Sequence, residues 1–444
     1  MKIVFNLARG TYRKLPFWKE VLVKTSTDYY QATANTTFHF PELVGEVRTD
    51  VCVIGAGFTG LGTALELAEL GFSVVVLEAS HVGYGASGRS GGQVASGYSP
   101  GMLETARIVG AEDAKRLWAF SEDAKNILND RITRHEIECD YLPGELYVAP
   151  QKSHIDWLKD EQVFVEDEYG YDQYHWVDQL ELREIMAGDR YVGGLLDLEG
   201  GHLHPLNYTL GLARAAKNAG VQIFENSAAL SYDVNNRVNV TCKNGNVVAD
   251  KLVLAGNAYL KDVEPLLQKR MVAVKSCIIA TEPLGEARAC QLMKTTACIA
   301  DTYYDLDYFK IAPDTRLIYG GQDLSFGRVS LENNPVRRNM LKTFPMLEDV
   351  KIEYLWDGNL SVTRQRLPDA GKIGNHVYYA HGYSGQGVPL SAVLSKIVAE
   401  AINGEMTRLD VFGRIPHKTI PKSRAIQVPA LYMMLLWNRF KDLL

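Results

Sequence analysis

Gly55, Gly57 and Gly60 stand in the order G-x-G-x-x-G, and Glu78 follows the second of them by 21 residues. Glycines at this spacing let a chain turn sharply, bring bare backbone up to a diphosphate, and pack the next helix close to its strand. With Ala56, Phe58 and Thr59 they would form a helix start whose free N–H groups face phosphate oxygens. Glu78 suits a ribose 2′-hydroxyl and disfavours a 2′-phosphate. The chemistry indicated is dinucleotide binding, with NAD and FAD both open. A tight turn with no ligand is the plainest alternative.

The elements needed to hold these residues can be read around them. "DVCVI" is a short apolar strand ending at Gly55, and "SVVVLE" is a second one ending at Glu78. Between them Leu61, Ala64, Leu65 and Ala68 recur at helical spacing on one face. From about Gly200 the pattern resumes with the helix "NYTLGLARAAKNAG". Five short strand segments follow, and the last is the buried "KLVLAGN", which contains Gly256. Asn235-Asn236 and Asn244-Gly245 separate alternating segments there and predict a meander with positive-φ hairpin turns. After Pro368, "HVYYAHGYSGQGVPLSAVLSKIVAEAINGE" gives strand, glycine turn and helix again, with Leu394, Ile397, Val398 and Ala401 as the apolar face.

Two further glycine-rich stretches favour a flavin over a nicotinamide. "VGYGASGRSGGQ", Val82 to Gln93, sets five glycines beside Ser87, Arg89 and Ser90. It is built to lay backbone on a flat ligand, or else is a surface loop. "HGYSGQGV", His381 to Val388, is a second strand-to-helix glycine turn far down the chain. Its helix start would stabilise negative charge on the pyrimidine edge of a flavin.

The whole chain has 444 residues, 46% of them apolar, and a net charge of −6. Its size allows about two or three domains, and its charge argues against a nucleic-acid partner. Six scattered cysteines without a C-x-x-C pair read as thiols of a reducing compartment, which predicts the cytoplasm. No apolar run reaches the ~18 residues of a membrane span. "VPALYMMLLW" in the C-terminal tail reads as a short packed helix, with an interfacial membrane contact as the minor alternative.

Taken together, "DVCVIGAGFTGL", "VVVLEAS", "GYGASGRSGGQ", "CDYLPGELYVA", "GGHLHPLN", "VLAGNAYL" and "GYSGQGV" resemble the FAD-dependent amine and amino-acid oxidases of the D-amino-acid oxidase class. The closer likeness is to the gamma-glutamylputrescine oxidoreductases within it. The resemblance implies a mixed α/β fold: a Rossmann-like FAD-binding domain and a discontinuous, mainly antiparallel substrate sheet. Composition and pattern along the chain divide it into an arm (1–47), an FAD-binding domain (48–130, 200–260 and 356–405), a substrate domain (131–199 and 261–355) and a tail (406–444). The resemblance implies that Gly55 to Gly60, Glu78 and Ala79 hold the ADP half of the cofactor. Gly85, Ala86, Ser87, Arg89, Ser90, Gly91, Gly92, Gln93, Gly256, Gly382, Gly385, Gln386, Gly387 and Val388 would lie along the rest. Ser90 stands where the class usually has asparagine, and Gln386 where close relatives commonly have histidine.

The implied reaction moves a hydride from the carbon beside an amine to flavin N5, giving an imine that hydrolyses to an aldehyde. Oxygen, forming peroxide, or another acceptor then takes the electrons. Gamma-glutamylputrescine or a related polyamine derivative is the first substrate reading. Sarcosine or a D-amino acid is the second, and a non-catalytic flavin-binding assembly protein is the third. Tyr308, His381 and Lys275 are the candidate catalytic residues, and Lys310 is a further cation that could favour oxygen. Tyr303, Tyr304 and Phe309 are pocket aromatics or core, and Trp356 likewise. Asp305 and Asp307 could attract a polyamine end, and Arg364 or Arg366 a carboxylate. His202 and His204 share a face on strand spacing, but without a third ligand they give no metal site.

Overall fold

The computed structural model describes residues 28–322 and 334–419. In chain order its strands are β1 (Gly45–Ile54), β2 (Val74–Leu77), β3 (Gln93–Val94), β4 (Leu142–Ala149), β5 (Tyr174–Val177), β6 (Gly193–His202), β7 (Gln222–Phe224), β8 (Ser231–Val234), β9 (Val238–Thr241), β10 (Gly245–Leu254), β11 (Met271–Thr281), β12 (Cys298–Asp301), β13 (Asp307–Ile311), β14 (Leu317–Gln322), β15 (Ile352–Thr363), β16 (Asp369–Ile373) and β17 (Val377–His381). The helices that bear on the site are α1 (Phe58–Glu69), α2 (Ala111–Arg134), α3 (Pro205–Asn218) and α4 (Gly387–Ile402).

One sheet runs in the order β16-β17-β10-β1-β2-β7. From β17 to β7 every neighbouring pair is parallel. Its strands are apolar on both faces because both faces are covered. Val51 and Val53 face a core shared with α1, α3 and α4, while Cys52 and Ile54 face the β8–β9–β10 meander. All four residues predicted as the apolar stripe of α4 are buried, as are Leu61, Ala64 and Leu65 of α1. Arg131 of α2, 1% exposed, pins this helical layer: its Nη2 reaches Glu66 of α1 at 2.8 Å and Ser395 of α4 at 2.9 Å.

The second sheet runs β15-β11-β14-β13-β12-β4-β6-β3, with β5 on β6, and is antiparallel except at β12–β4. Leu146, Val148, Cys277, Ile279, Phe309 and Tyr319 form one face, packed with Val336 and Met340 of the helix Pro335–Thr343. Strand alternation therefore sends Glu145, Tyr147, Ser276, Tyr308 and Trp356 out of the other face.

Several expectations need correction. The arm is not separate from the core: Tyr29 and Tyr30 are 3% and 1% exposed, and residues 45–47 already belong to β1. The boundary at 356 falls inside β15, the boundary at 200 falls inside β6, and β3 joins the second sheet from within 48–130. Chain topology, not composition, decides which sheet a strand enters, and composition was the only guide to those limits. The meander exists, but neither Asn244 nor Gly245 has a positive φ. A Cβ on Gly245 would lie 2.4 Å from the Gly45 carbonyl oxygen, so the glycine answers the close approach of β1. The two segments read after it are one continuous strand, β10. In the tail, a helix at Thr407–Gly413 buries Leu409, Val411 and Phe412. The predicted apolar helix Val428–Trp437 lies outside the described residues. No disulfide forms; five cysteines are buried and Cys290 is exposed. Among the described residues no helix is long and apolar enough to cross a membrane.

Candidate flavin and substrate site

The carboxyl ends of four parallel strands carry most of the predicted cofactor residues. β1 runs into Gly55, β2 into Glu78, β10 into Ala255-Gly256 and β17 into Gly382. Ligands of open α/β sheets bind at that edge. Gly55 has φ +108°, and a Cβ there would lie 2.8 Å from the Ala255 carbonyl oxygen. At Gly60 a Cβ would lie 1.8 Å from the Gly55 oxygen, so only glycine lets α1 start this close to the strand. Gly57 is the N-cap of α1 and provides no side-chain cap.

Glu78 turns back to this corner. One carboxylate oxygen accepts from Ala56 N–H at 2.9 Å and the other from Ser80 N–H at 3.0 Å. Burial raises its pKa above the usual carboxylate value, against the pull of those amides. Each oxygen keeps a lone pair for a ribose hydroxyl. Ala79 follows on the exposed turn.

The Val82–Gln93 stretch closes on the start of α1. Ser87 Oγ accepts from Phe58 N–H at 3.0 Å, and Ala86–Gly88 is a single 3-10 turn. Gly85 lies against the Tyr259 ring and Gly92 against the Leu203 carbonyl. Ser90 Oγ reaches Gly92 N–H at 3.4 Å. Arg89 lies over the Tyr84 ring, donates to the Asp357 carbonyl at 3.1 Å, and through its own carbonyl accepts from Trp356 Nε1 at 2.9 Å. Two buried donors here, Arg89 Nε and Gln93 Nε2, have no hydrogen-bond partner among the described residues.

The second glycine corner meets the first. Thr59 Oγ1 and the Tyr383 hydroxyl are 2.7 Å apart and buried. A Cβ on Gly62 would lie 2.6 Å from Ser395 Oγ, which packs α4 tightly on α1. Gly382 and Gly385 have positive φ, and Gln386 begins α4 without using its side chain as a cap. That side chain instead meets the Tyr147 hydroxyl. Gly387 and Val388 form the first turn of α4. The bare helix starts, the orphaned donors and the glycine cradle fit an extended FAD.

Of the catalytic candidates, the structure brings Tyr308 to this place. Its ring lies where a Cβ on Gly91 would be, 2.8 Å away, and its hydroxyl is 3.0 Å from Ser276 Oγ. Burial raises its pKa, so it stays protonated. His381 is not brought there. It alternates with Ala380 and shares the meander side with Tyr379, bonded to Asp369 at 3.1 Å. Lys275 is one step from Ser276, leaves from the opposite face and pairs with Asp357 at 2.8 Å.

The other residues singled out divide in the same way. Phe309 stacks on Tyr319 in the second core. Asp307 is engaged by Arg190 at 2.8 Å, leaving Asp305 half-buried on the preceding turn. Lys310 is buried and donates to the Leu203 carbonyl at 2.8 Å; burial brings its pKa down to about 8. His202 bonds the Thr296 carbonyl, and His204 caps α3 through Asn207 N–H and meets Thr33. Arg364 is exposed. Arg366 is half-buried, lies over Tyr304 at 5.2 Å, and has no carboxylate partner among the described residues. It sits on the turn after β15, which the Val362–Tyr383 bridge and the Thr363–Ser384 hydrogen bond tie to the second glycine corner. Tyr147, Tyr259 and Tyr383 went unremarked as site residues, although all three lie within the quoted motifs.

Residues 50–401 match the model of the DAO family, FAD dependent oxidoreductases. The chain belongs to that family. It is 39% identical over 426 residues to the gamma-glutamylputrescine oxidoreductase of Escherichia coli K12, covering 95% of this chain and 99% of that protein. A probable oxidoreductase OrdL of Haemophilus influenzae is 39% identical over 93% of this chain and 96% of its own length. Among solved structures, the glycine oxidase of Bacillus cereus covers 84% of this chain and all of that one, with a TM-score of 0.69 at 18% identity. That likeness shows the fold: mixed α/β with a Rossmann-like sheet. As a DAO-family enzyme the chain is an FAD-dependent oxidoreductase, which leaves the non-catalytic reading without support.

Proposed function

We propose that this oxidoreductase oxidises the C–N bond of an amine, with gamma-glutamylputrescine or a related polyamine derivative as substrate. The observation that carries the reading is the 39% identity extending over 99% of a gamma-glutamylputrescine oxidoreductase. Arg366 agrees with it. A half-buried guanidinium lacking a carboxylate beside the second glycine corner suits the glutamyl carboxylate of that substrate.

FAD, when bound, supplies the acceptor for the hydride that leaves the carbon bearing the amine. The chain does the rest. Gly55 to Gly60, Glu78 and Ala79 hold the ADP half; Gly85 to Gln93, Gly256 and Gly382 to Val388 hold the ring end. Tyr308, Trp356 and Tyr147 wall the pocket and exclude water. Arg366 orients the far end of the substrate, fixing the reacting carbon. The imine hydrolyses to an aldehyde and ammonia, and oxygen as the final acceptor gives hydrogen peroxide. Six cysteines with no disulfide among them suit the reducing cytoplasm as the compartment.

A sarcosine or D-amino-acid substrate would bring its own carboxylate to Arg366, so the same residue favours a second reading. Anaerobic mixing with gamma-glutamylputrescine, sarcosine and D-alanine, followed by flavin absorbance, separates the two. Rapid bleaching by the first alone is expected, and bleaching only by the others would overturn the proposal. A peroxide assay in air then tests oxygen as acceptor.

A further inference from the structure

On the pocket face of the second sheet, Glu145 of β4 stands directly opposite Asp197 of β6. They are 2% and 0% exposed. Tyr147, two residues along the same strand, lays its hydroxyl between the Glu145 carboxyl and the Gln386 side chain at the second glycine corner. On the other side Asp197 accepts from Ser96 Oγ at 2.6 Å and from the Tyr171 hydroxyl. Ser96 Oγ in turn accepts from Lys125 Nζ at 2.7 Å. Lys125 reaches Glu122 at 3.0 Å and Glu199 at 3.3 Å, and the Glu199 side chain is 52% exposed. A succession of groups that carry or relay protons thus runs from the cofactor corner to solvent. One atom in it, Glu145 Oε2, is buried without a hydrogen-bond partner among the described residues.

The charges in this line do not balance as carboxylates. Lys125 is its one cation, against Glu145 and Asp197 in the interior and Glu122 beside them. Two facing carboxylates in a poorly solvated interior cannot both stay ionised. Burial and the charge of Asp197 push Glu145 up to about 8, and burial pushes Glu122 up to about 7. The neighbouring groups offer no alternative site: Cys298 on β12 and Tyr174 on β5 are both held neutral by burial. At neutral pH the proton therefore sits on Glu145.

We propose that Glu145, Asp197, Ser96 and Lys125 form a proton passage between the flavin pocket and the surface, with Tyr147 as its inner link and Glu145 as its proton store. The idea rests on the pocket being the one described above. Amine oxidation requires such a route. A substrate ammonium, R–CH2–NH3+, becomes R–CH=NH2+ by losing one hydride, which FAD accepts, and one proton. The passage carries that proton and no electrons. A proton entering at Tyr147 displaces the Glu145 proton to Asp197; Lys125 gives a proton to Glu199 at the surface, and Ser96 then turns its hydroxyl to the vacated amine and takes the proton from Asp197 in its place.

Glu145→Gln keeps the size and neutrality of the protonated acid, so a merely structural role would leave it silent. The first readout needs no turnover: infrared spectra of the protein, with and without FAD, should show a carboxylic-acid carbonyl band that titrates near pH 8 and is missing from E145Q. The second is a pH-indicator dye during anaerobic bleaching by gamma-glutamylputrescine. Proton release should keep step with bleaching in the wild type and lag it by about tenfold or more in E145Q. Tyr147→Phe should show the same lag, which guards against misfolding of either variant. Persistence of the band in E145Q, or release in step with bleaching in both variants, overturns the passage. Failure of every amine to bleach the flavin would instead break the substrate reading, and the infrared titration would still report on Glu145.

Discussion

Gly60→Ala tests whether the cofactor corner works by close backbone approach. The new Cβ would be 1.8 Å from the Gly55 carbonyl oxygen and 3.3 Å from Val53 Cγ1. Ordinary contact begins at 3.4 Å, so α1 must retreat by about 1.6 Å. The obstacle is backbone, which has no rotamer to change, so the cost belongs at the upper end of overpacking, about 3 kcal/mol. That corresponds to a fall of roughly 3 °C in the unfolding midpoint for a chain of this length. The same retreat takes the helix-start amides out of hydrogen-bond range of a diphosphate. Losing two charge-assisted bonds at about 1.5–3 kcal/mol each weakens FAD binding by roughly a hundredfold or more. Gly57→Ala is the control, because its Cβ would meet only the mobile Ser87 hydroxyl, at 2.7 Å. It should lose FAD affinity with little change in the midpoint. Flavin titration by fluorescence quenching and thermal unfolding of the flavin-free proteins read the two effects separately. A G60A protein with wild-type FAD affinity and an unchanged midpoint would refute the reasoning.

Three further outcomes are expected. Glu78→Ala should retain its fold by circular dichroism but bind FAD at least about tenfold more weakly, from the loss of a charged hydrogen-bond acceptor; unchanged flavin content removes Glu78 from the ribose role. Arg131→Ala should lower unfolding free energy in urea by about 3–5 kcal/mol, because the buried guanidinium pairs with Glu66 and ties α1 to α4. His202 and His204 are buried neutral, with pKa values brought down to about 3. The unfolded chain binds their protons near pH 6.5 and the folded chain does not, so stability is full above that pH and declines as pH falls from 6.5 towards 3. Each contributes a slope of about 1.4 kcal/mol per pH unit, and His204→Asn, which keeps an N-cap, should flatten it in urea titrations at stepped pH; an unchanged slope contradicts the assignment.

The features legible in the sequence were those set by neighbours in the chain. Gly55, Gly57, Gly60 and the starts of α1 and α4 follow from local turns and helical periodicity, so the two glycine corners were found where they lie. What was missed depends on pairing between distant strands. Whether Phe309 or Tyr308 faces the pocket is settled by the register of β13 against β14, and no local pattern encodes it. The same holds for Lys275 beside Ser276 and for His381 beside Ala380: one residue of alternation moves each side chain to the wrong face. His202 and His204 have the spacing of ligands, yet a helix cap and a distant carbonyl, Thr296, occupy them. Arg131 drew no reading from the sequence, and the approach of Glu66 and Ser395 explains its burial.

The composition of the pocket face argues that it was not shaped for stability. A sheet face buried against another domain is cheapest when apolar, as the opposite face is, with Leu146, Val148, Cys277, Ile279 and Phe309. Here the corresponding positions are Glu145, Tyr147, Ser276, Tyr308 and Lys310, and burying each polar group costs free energy unless it is fully bonded. Lys310 donates to one carbonyl, and Glu145 has an oxygen with no hydrogen-bond partner among the described residues. Both have pKa values drawn towards neutrality, where a proton moves in either direction with little loss. A fold that keeps such groups at the mouth of four parallel strands gives up packing energy to hold protons beside its cofactor.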